Sequence, residues 1–211
     1  MEKEFSSNFF HFNNMKIELH PEVYEPAEDT FQILETIKVK EEEKIFEIGT
    51  GCGIIALECC RLGANVLCSD INPYAVDIVK KNYNCNKKIL KGDFKVKKGD
   101  LFSVLSRNEK FDKIIFNPPY LPTNSKDFVG GSGWFDIATD GGKDGLEITE
   151  RYLSNVGNYL YKNGYGYFIF SSLSDRVRLE SILEEYSLSF SILNKYRFDN
   201  ELLEVYQVSL K

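Results

Sequence analysis

The chain is poor in the groups on which many active sites are built. Only two of its 211 residues are histidine, His11 and His20, and both lie near the N-terminus. A histidine-based catalytic triad or a multi-histidine metal centre in the core is thereby excluded. The five cysteines, Cys52, Cys59, Cys60, Cys68 and Cys85, are odd in number and match no zinc spacing. They read as reduced packing residues of a cytoplasmic protein, and no metal is expected. No apolar run in the chain approaches the roughly 18 residues of a membrane helix. The opening MEKEFSSNFFHFNN has no continuous apolar core, so it does not read as a signal peptide. Positive charge is also short: 26 Lys and Arg stand against 32 Asp and Glu, a net charge of −6. That balance argues against neutralising many phosphates of a duplex. Repeats, low-complexity tracts and Gly/Ser-rich linkers are missing. One domain over residues 21–211, preceded by an extension at 1–20, is the expectation.

What is present is alternation. Helical spacing in AEDTFQILETIK (27–38), after the acidic Glu28-Asp29-Thr30, predicts a capped helix. KIFEI (44–48) and NVLCSD (65–70) read as short apolar strands around a helix at 54–62. Asn72 and Pro73 open a helix over 73–85 as N-cap and first helical residue. FKVKKGDLF (94–102) is a more polar strand, expected near a sheet edge, and 113–117 is another strand. Helices at 146–160 and 175–186 bracket a strand at 164–170. Two β-rich runs, 188–198 and 202–210, meet at Asp199-Asn200. The rhythm implies a mostly parallel α/β sheet with helices on both faces, ligands at the carboxyl ends of its strands, and an antiparallel strand added at one edge.

Chemistry concentrates at those strand ends. FEIGTGCGIIAL places Glu47 just before glycines 49, 51 and 53. The turn can cradle a small molecule at a helix N-terminus, but its G-x-G-x-G spacing differs from the dinucleotide fingerprint. Asp70 at the end of the second strand can accept hydrogen bonds from two ribose hydroxyls. Asp100 can accept from an adenine amino group while Leu101 packs on the ring. Glu47 is then placed to attract a positively charged ligand, which suits S-adenosylmethionine and not a pyrophosphate.

The strand at 113–117 stops in Asn117-Pro118-Pro119-Tyr120. The Asn117 oxygen and the Pro118 carbonyl can each accept one hydrogen of a planar NH2 group, with Tyr120 flat against it. Such a pocket selects an amide or an aromatic amine. Glutamine, an exocyclic amine of adenine or guanine in RNA or DNA, and with a poorer fit lysine, are all chemically admissible.

With VYEPAEDTF (23–31), DINPYA (70–75) and FNPPYL (116–121), the chain resembles the class I S-adenosylmethionine-dependent methyltransferases that carry this motif. Within them it looks like the HemK-related protein-glutamine methyltransferases, in the archaeal and eukaryotic branch acting on the Gly-Gly-Gln motif of class I peptide-release factors. The resemblance implies a Rossmann-like seven-stranded fold and S-adenosylmethionine as cofactor. It carries cofactor contacts onto Thr30, Glu47, Gly49, Asp70, Asp100, Leu101 and Asn117, with Gly51, Gly53 and Ile71 expected beside them. Substrate contacts fall on Asn117, Pro118, Pro119 and Tyr120, with catalysis assigned to Asn117, Pro118 and Tyr120; 138–145 is expected to line the pocket. It also implies a release factor as substrate and a small zinc-binding activator subunit as partner. The strands at 65–70 and 94–99 are the expected contact for that subunit, and neither membrane nor nucleic acid is expected as a partner.

Overall fold

The computed structural model describes residues 8–122, 133–198 and 200–211. A hairpin of β1 (Phe9–Phe12) and β2 (Met15–Glu18) comes first, followed by α1 (Glu28–Thr36). Then β3 (Lys44–Ile48), α2 (Ile54–Arg61), β4 (Asn65–Asp70), α3 (Pro73–Asn86) and β5 (Phe94–Lys98) alternate. The second half holds β6 (Phe111–Phe116), α4 (Trp134–Thr139), α5 (Glu147–Val156) and β7 (Leu160–Ser171). α6 (Arg176–Glu185), β8 (Leu188–Phe198) and β9 (Glu201–Leu210) complete it. Among the described residues no helix is long and apolar enough to cross a membrane.

Seven strands form one sheet in the order β5-β4-β3-β6-β7-β9-β8. Its interior strands are apolar on both faces, as parallel strands between two helix layers must be. Along β3, Ile45 packs with α1 and α2, while Phe46 and Ile48 turn to the opposite layer of α5 and α6. From β3 the chain steps outward through β4 to β5, then crosses back to β6 on the other side of β3. That reversal opens a crevice above the ends of β3 and β6, where ligands of such sheets bind.

Four expectations shift. The 94–102 run is divided: β5 ends at Lys98, and Leu101–Val104 forms a tight 3-10 turn. The helix expected over 27–38 ends at Thr36, because Ile37 is already extended. Its start is not capped by its acids: Ala27 holds the cap position without a side-chain bond, and Asp29 points inward. Finally, the antiparallel strand is not the outermost one. β9 inserts between β7 and β8, antiparallel to both. The burial pattern gives the reason: β9 carries the buried Leu203, Val205, Tyr206 and Val208, whereas β8 exposes most of its side chains.

The hairpin at 9–18 carries structure where the sequence pattern suggested only an extension. Met15 and Ile17 of β2 are fully buried against the α1–α2 layer. Two asparagines one turn apart on α3 complete its edge. Asn86 accepts from the Lys16 N–H at 2.9 Å and donates to the Lys16 carbonyl at 2.8 Å. Asn82 does the same for Glu18, at 2.8 and 2.9 Å, and also donates to the Cys52 carbonyl.

Candidate active site

The loop from β3 into α2 is built around one buried acid. Glu47 Oε2 accepts from the Thr50 hydroxyl at 2.6 Å and from the Ala56 N–H at 3.0 Å. Burial pushes its carboxyl up to about 8, against the pull of those two bonds. Asp70, at the end of β4, holds the same loop from the side. Its Oδ2 accepts from the Gly51 N–H and its Oδ1 from the Asn72 N–H, both at 2.9 Å. Burial raises this carboxyl as well, while the backbone bonds oppose the rise. A carboxylate has about four lone-pair directions, so Asp70 retains acceptor capacity towards the crevice.

Gly51 adopts φ 55°, and a Cβ there would stand 3.8 Å from the Tyr24 carbonyl, over the floor of the crevice. Gly53 does something else. It precedes α2 at φ 87°, its Cβ position lies 2.9 Å from Val79 Cγ2, and it lines no part of the crevice. The third glycine of the motif is therefore a packing and turn residue that, unlike Gly49 and Gly51, does not line the crevice.

The crevice encloses about 560 Å³, within the 300–1,000 Å³ range of small-molecule sites. Thr30, Glu47, Gly49, Gly51, Asp70, Ile71, Asp100 and Leu101 line it together with Asn117, Pro118, Pro119 and Tyr120. Leu101 is held at φ 45°, a left-handed conformation that costs a non-glycine residue energy and that clusters at functional sites. Asp100 is half-exposed and paired with Arg151 of α5 at 2.6 Å. The pattern of strand ends did not reveal that arginine, which also lines the crevice.

The Asn-Pro-Pro-Tyr segment is fixed from several directions. Asn117 Nδ2 donates to Asp29 Oδ2 at 2.9 Å, and the Tyr120 hydroxyl donates to the same oxygen at 3.3 Å. The Tyr120 carbonyl accepts from the Ser174 hydroxyl at 2.8 Å, tying the segment to the turn after β7. The other end of the Asn117 amide, Oδ1, is buried and has no partner among the described residues. An orphaned acceptor in a crevice is costly unless a ligand completes it. Of the expected 138–145 lining, only Ala138, Thr139 and Asp140 reach the crevice; Gly141–Gly145 turn away beneath Tyr120 towards α5. Trp134 and Phe135 of α4 line the opposite wall, whereas Phe128 lies outside the described residues.

A mostly parallel sheet with a glycine loop and acids at three successive strand ends defines a class I methyltransferase-type nucleotide site. The comparisons agree. Residues 25–130 match the family model described as the methyltransferase small domain. A protein of Methanocaldococcus jannaschii named "Putative protein N5-glutamine methyltransferase" is 40% identical over 161 residues, 76% of this chain and 78% of its own. Methyltransferase HEMK2 of Homo sapiens is 33% identical over 156 residues, 70% of this chain and 71% of that one. The Mtq2 subunit of the E. cuniculi Mtq2–Trm112 complex has the same fold, with a TM-score of 0.66 at 21% identity over 90% of this chain and 99% of that one. The chain belongs to the methyltransferase small-domain family, and within it to the HemK-related protein-glutamine N-methyltransferases.

Proposed function

We propose that this chain binds S-adenosylmethionine in the crevice and methylates the side-chain amide nitrogen of the Gly-Gly-Gln glutamine in a class I peptide-release factor. One observation carries this reading: Asn117 presents a buried, unpartnered carbonyl oxygen beside a crevice lined by the strand-end acids. The residues present fit the cofactor. Asp70 offers free acceptor directions for ribose hydroxyls, Asp100 and Leu101 would meet the adenine, and Glu47 is a buried acid bonded to Thr50 of the glycine turn. Thr30, Gly49, Gly51 and Ile71 complete the wall. When bound, the cofactor supplies a methyl group on a positively charged sulfur.

The protein's part is to hold the nucleophile. An amide nitrogen is a weak nucleophile because its lone pair is delocalised into the carbonyl. Asn117 Oδ1 and the Pro118 carbonyl each accept one N–H of the substrate amide, with Tyr120 against its face. As positive charge grew on that nitrogen during transfer of the methyl group from sulfur, both acceptors would bind its hydrogens more strongly. Stabilisation confined to the transition state raises the rate directly. The proton leaves nitrogen only after that bond forms, so no general base is required before attack.

Relatives support this substrate and partner. The E. cuniculi complex is described as responsible for methylation of the eRF1 termination factor, with Trm112 as second subunit. For this chain the reading is a cytoplasmic heterodimer with a small zinc-binding activator seated on the β5 edge. Incubation with labelled S-adenosylmethionine and a purified release factor, followed by mass-spectrometric mapping, tests it. Label on the Gly-Gly-Gln glutamine is the expected result. Label on RNA or on lysine, with none on that glutamine, overturns it.

A further inference from the structure

We infer that Asp29 is the positioning residue that sets the orientation and polarisation of the Asn117 amide; this rests on the methyl-transfer reading above and deepens it. An asparagine side chain can present either its oxygen or its NH2 group to a ligand, and the two are similar in shape. Only one presentation can accept an N–H of the substrate. Asp29 removes the ambiguity. A carboxylate only accepts, so the end of Asn117 facing it at 2.9 Å must be the NH2, which leaves Oδ1 as the acceptor without a partner among the described residues, on a side chain that lines the crevice.

Asp29 is itself over-determined. It is 3% exposed and gathers donors from three separate segments. The Thr30 N–H reaches Oδ1 at 2.6 Å and the Thr30 hydroxyl at 3.2 Å. The hydroxyls of Tyr24 and Tyr120 lie at 3.3–3.4 Å and 3.3 Å. An acid buried this deeply, with no basic side chain among these donors, is an expensive way to fasten a helix. It is a direct way to aim two catalytic groups at once. Its negative charge behind Nδ2 also draws the amide's electron density towards Oδ1, so that oxygen accepts more strongly as charge develops on the substrate nitrogen. Burial and the nearby Asp29 charge both push the Tyr120 hydroxyl well above its usual range, keeping it a neutral donor.

The test uses the full chain co-expressed with the activator, in the forms wild type, Asp29→Ala, Asp29→Asn, Asn117→Ala and the Asp29→Ala/Asn117→Ala pair. The side-chain NH2 resonances of Asn117, identified by their loss in Asn117→Ala, report the amide without cofactor or substrate. In wild type one proton should be shifted downfield and protected from exchange. Asp29→Ala should abolish that signature and lower kcat on the order of 10²-fold, with cofactor affinity unchanged within about threefold. The double variant should be no slower than Asn117→Ala alone, because both changes disable one unit. Asp29→Asn, which can still accept from Nδ2 but lacks the charge, should keep the resonance signature with an intermediate kcat, and it decides the matter if Asp29→Ala fails to fold. A preserved signature in Asp29→Ala, wild-type turnover in it, or multiplied losses in the double variant would each overturn the inference. If the wild type leaves the release factor unmethylated, the substrate reading fails, while the resonances still decide whether Asp29 sets the amide.

Discussion

Glu47 carries the clearest pH signature at the residue scale. Its carboxyl sits near 8 in the ligand-free chain against an ordinary 4.5, with burial as the main cause. The folded chain therefore holds a proton that the unfolded chain has lost between those values. Stability of the ligand-free protein should fall as pH rises from about 4.5 to about 8, with Asp70, also raised by burial, acting in the same direction. A positively charged cofactor favours the ionised form, so its affinity should climb through the same upper range and its binding near pH 7 should release a proton. Calorimetry in buffers of different ionisation enthalpy measures that release; Glu47→Gln should remove it, and an unchanged proton count in the variant would clear Glu47 of the effect. Asn117→Ala should keep fold and cofactor affinity while losing roughly 10²–10³ in turnover, the usual cost of one transition-state acceptor or donor. Near-wild-type turnover in single-turnover assays would reject its role. Glu47, Asp70 and Asn117 were legible because each ends a strand and sits inside its own short motif. Asp29 and Arg151 were not, since their partners Asn117 and Asp100 lie 88 and 51 residues away in sequence. An acid in a first helical turn reads as a cap, and only tertiary contact turns this one into the crevice.

At the scale of elements, strands and helices announce themselves by period, whereas their lateral order does not. The apolar runs of β3, β4, β6 and β7 were visible, as was the Asn72-Pro73 start of α3, whose asparagine accepts from the Tyr74 N–H at 2.9 Å. That β9 would insert between β7 and β8 depends on which of two β-rich runs buries better, a comparison across the fold. The β1–β2 hairpin was hidden for a similar reason. FFHF and MKIE are four residues each, too short for periodicity to speak, and what secures β2 is a pair of asparagines about 70 residues away. Asn82 is fully buried, and its amide serves Glu18 and Cys52 together. Asn82→Ala leaves those backbone groups without partners, at a cost of about 1–3 kcal/mol. Urea melts of Asn82→Ala should show that loss, with Met15 and Ile17 regions becoming the first to exchange amide protons. A midpoint equal to wild type would mean that water replaces the amide freely and that the hairpin holds by its apolar face alone.

For the whole molecule, the sheet offers the proposed activator two edges, β5 and β8. Of the two strands expected at that contact, β4 lies one place inside the sheet, and its Val66 and Leu67 are buried. The edge is β5 alone. Phe94 there stacks on Tyr83 at 4.9 Å, Val96 is half-buried, and Lys95, Lys97 and Lys98 are exposed. A short edge strand bearing lysines on a chain of net charge −6 is protected against indiscriminate pairing, but it still offers backbone groups and local positive charge to an acidic partner strand. The far edge, β8, differs in kind: Phe190, Leu193, Tyr196 and Phe198 are all exposed along it. An apolar edge of that sort is the competing seat. Lys97 Nζ donates to the Val104 carbonyl, so substitution there would also disturb the turn beneath the crevice. Lys95→Glu/Lys98→Glu changes charge on β5 without that contact, and Leu193→Asp/Phe198→Asp makes the matching change on β8. If β5 is the seat, the lysine pair should abolish co-purification with the activator and lower activity, while the β8 pair leaves both unaltered. The opposite pattern would place the partner on β8, and wild-type co-purification in both variants would show that neither edge carries the contact.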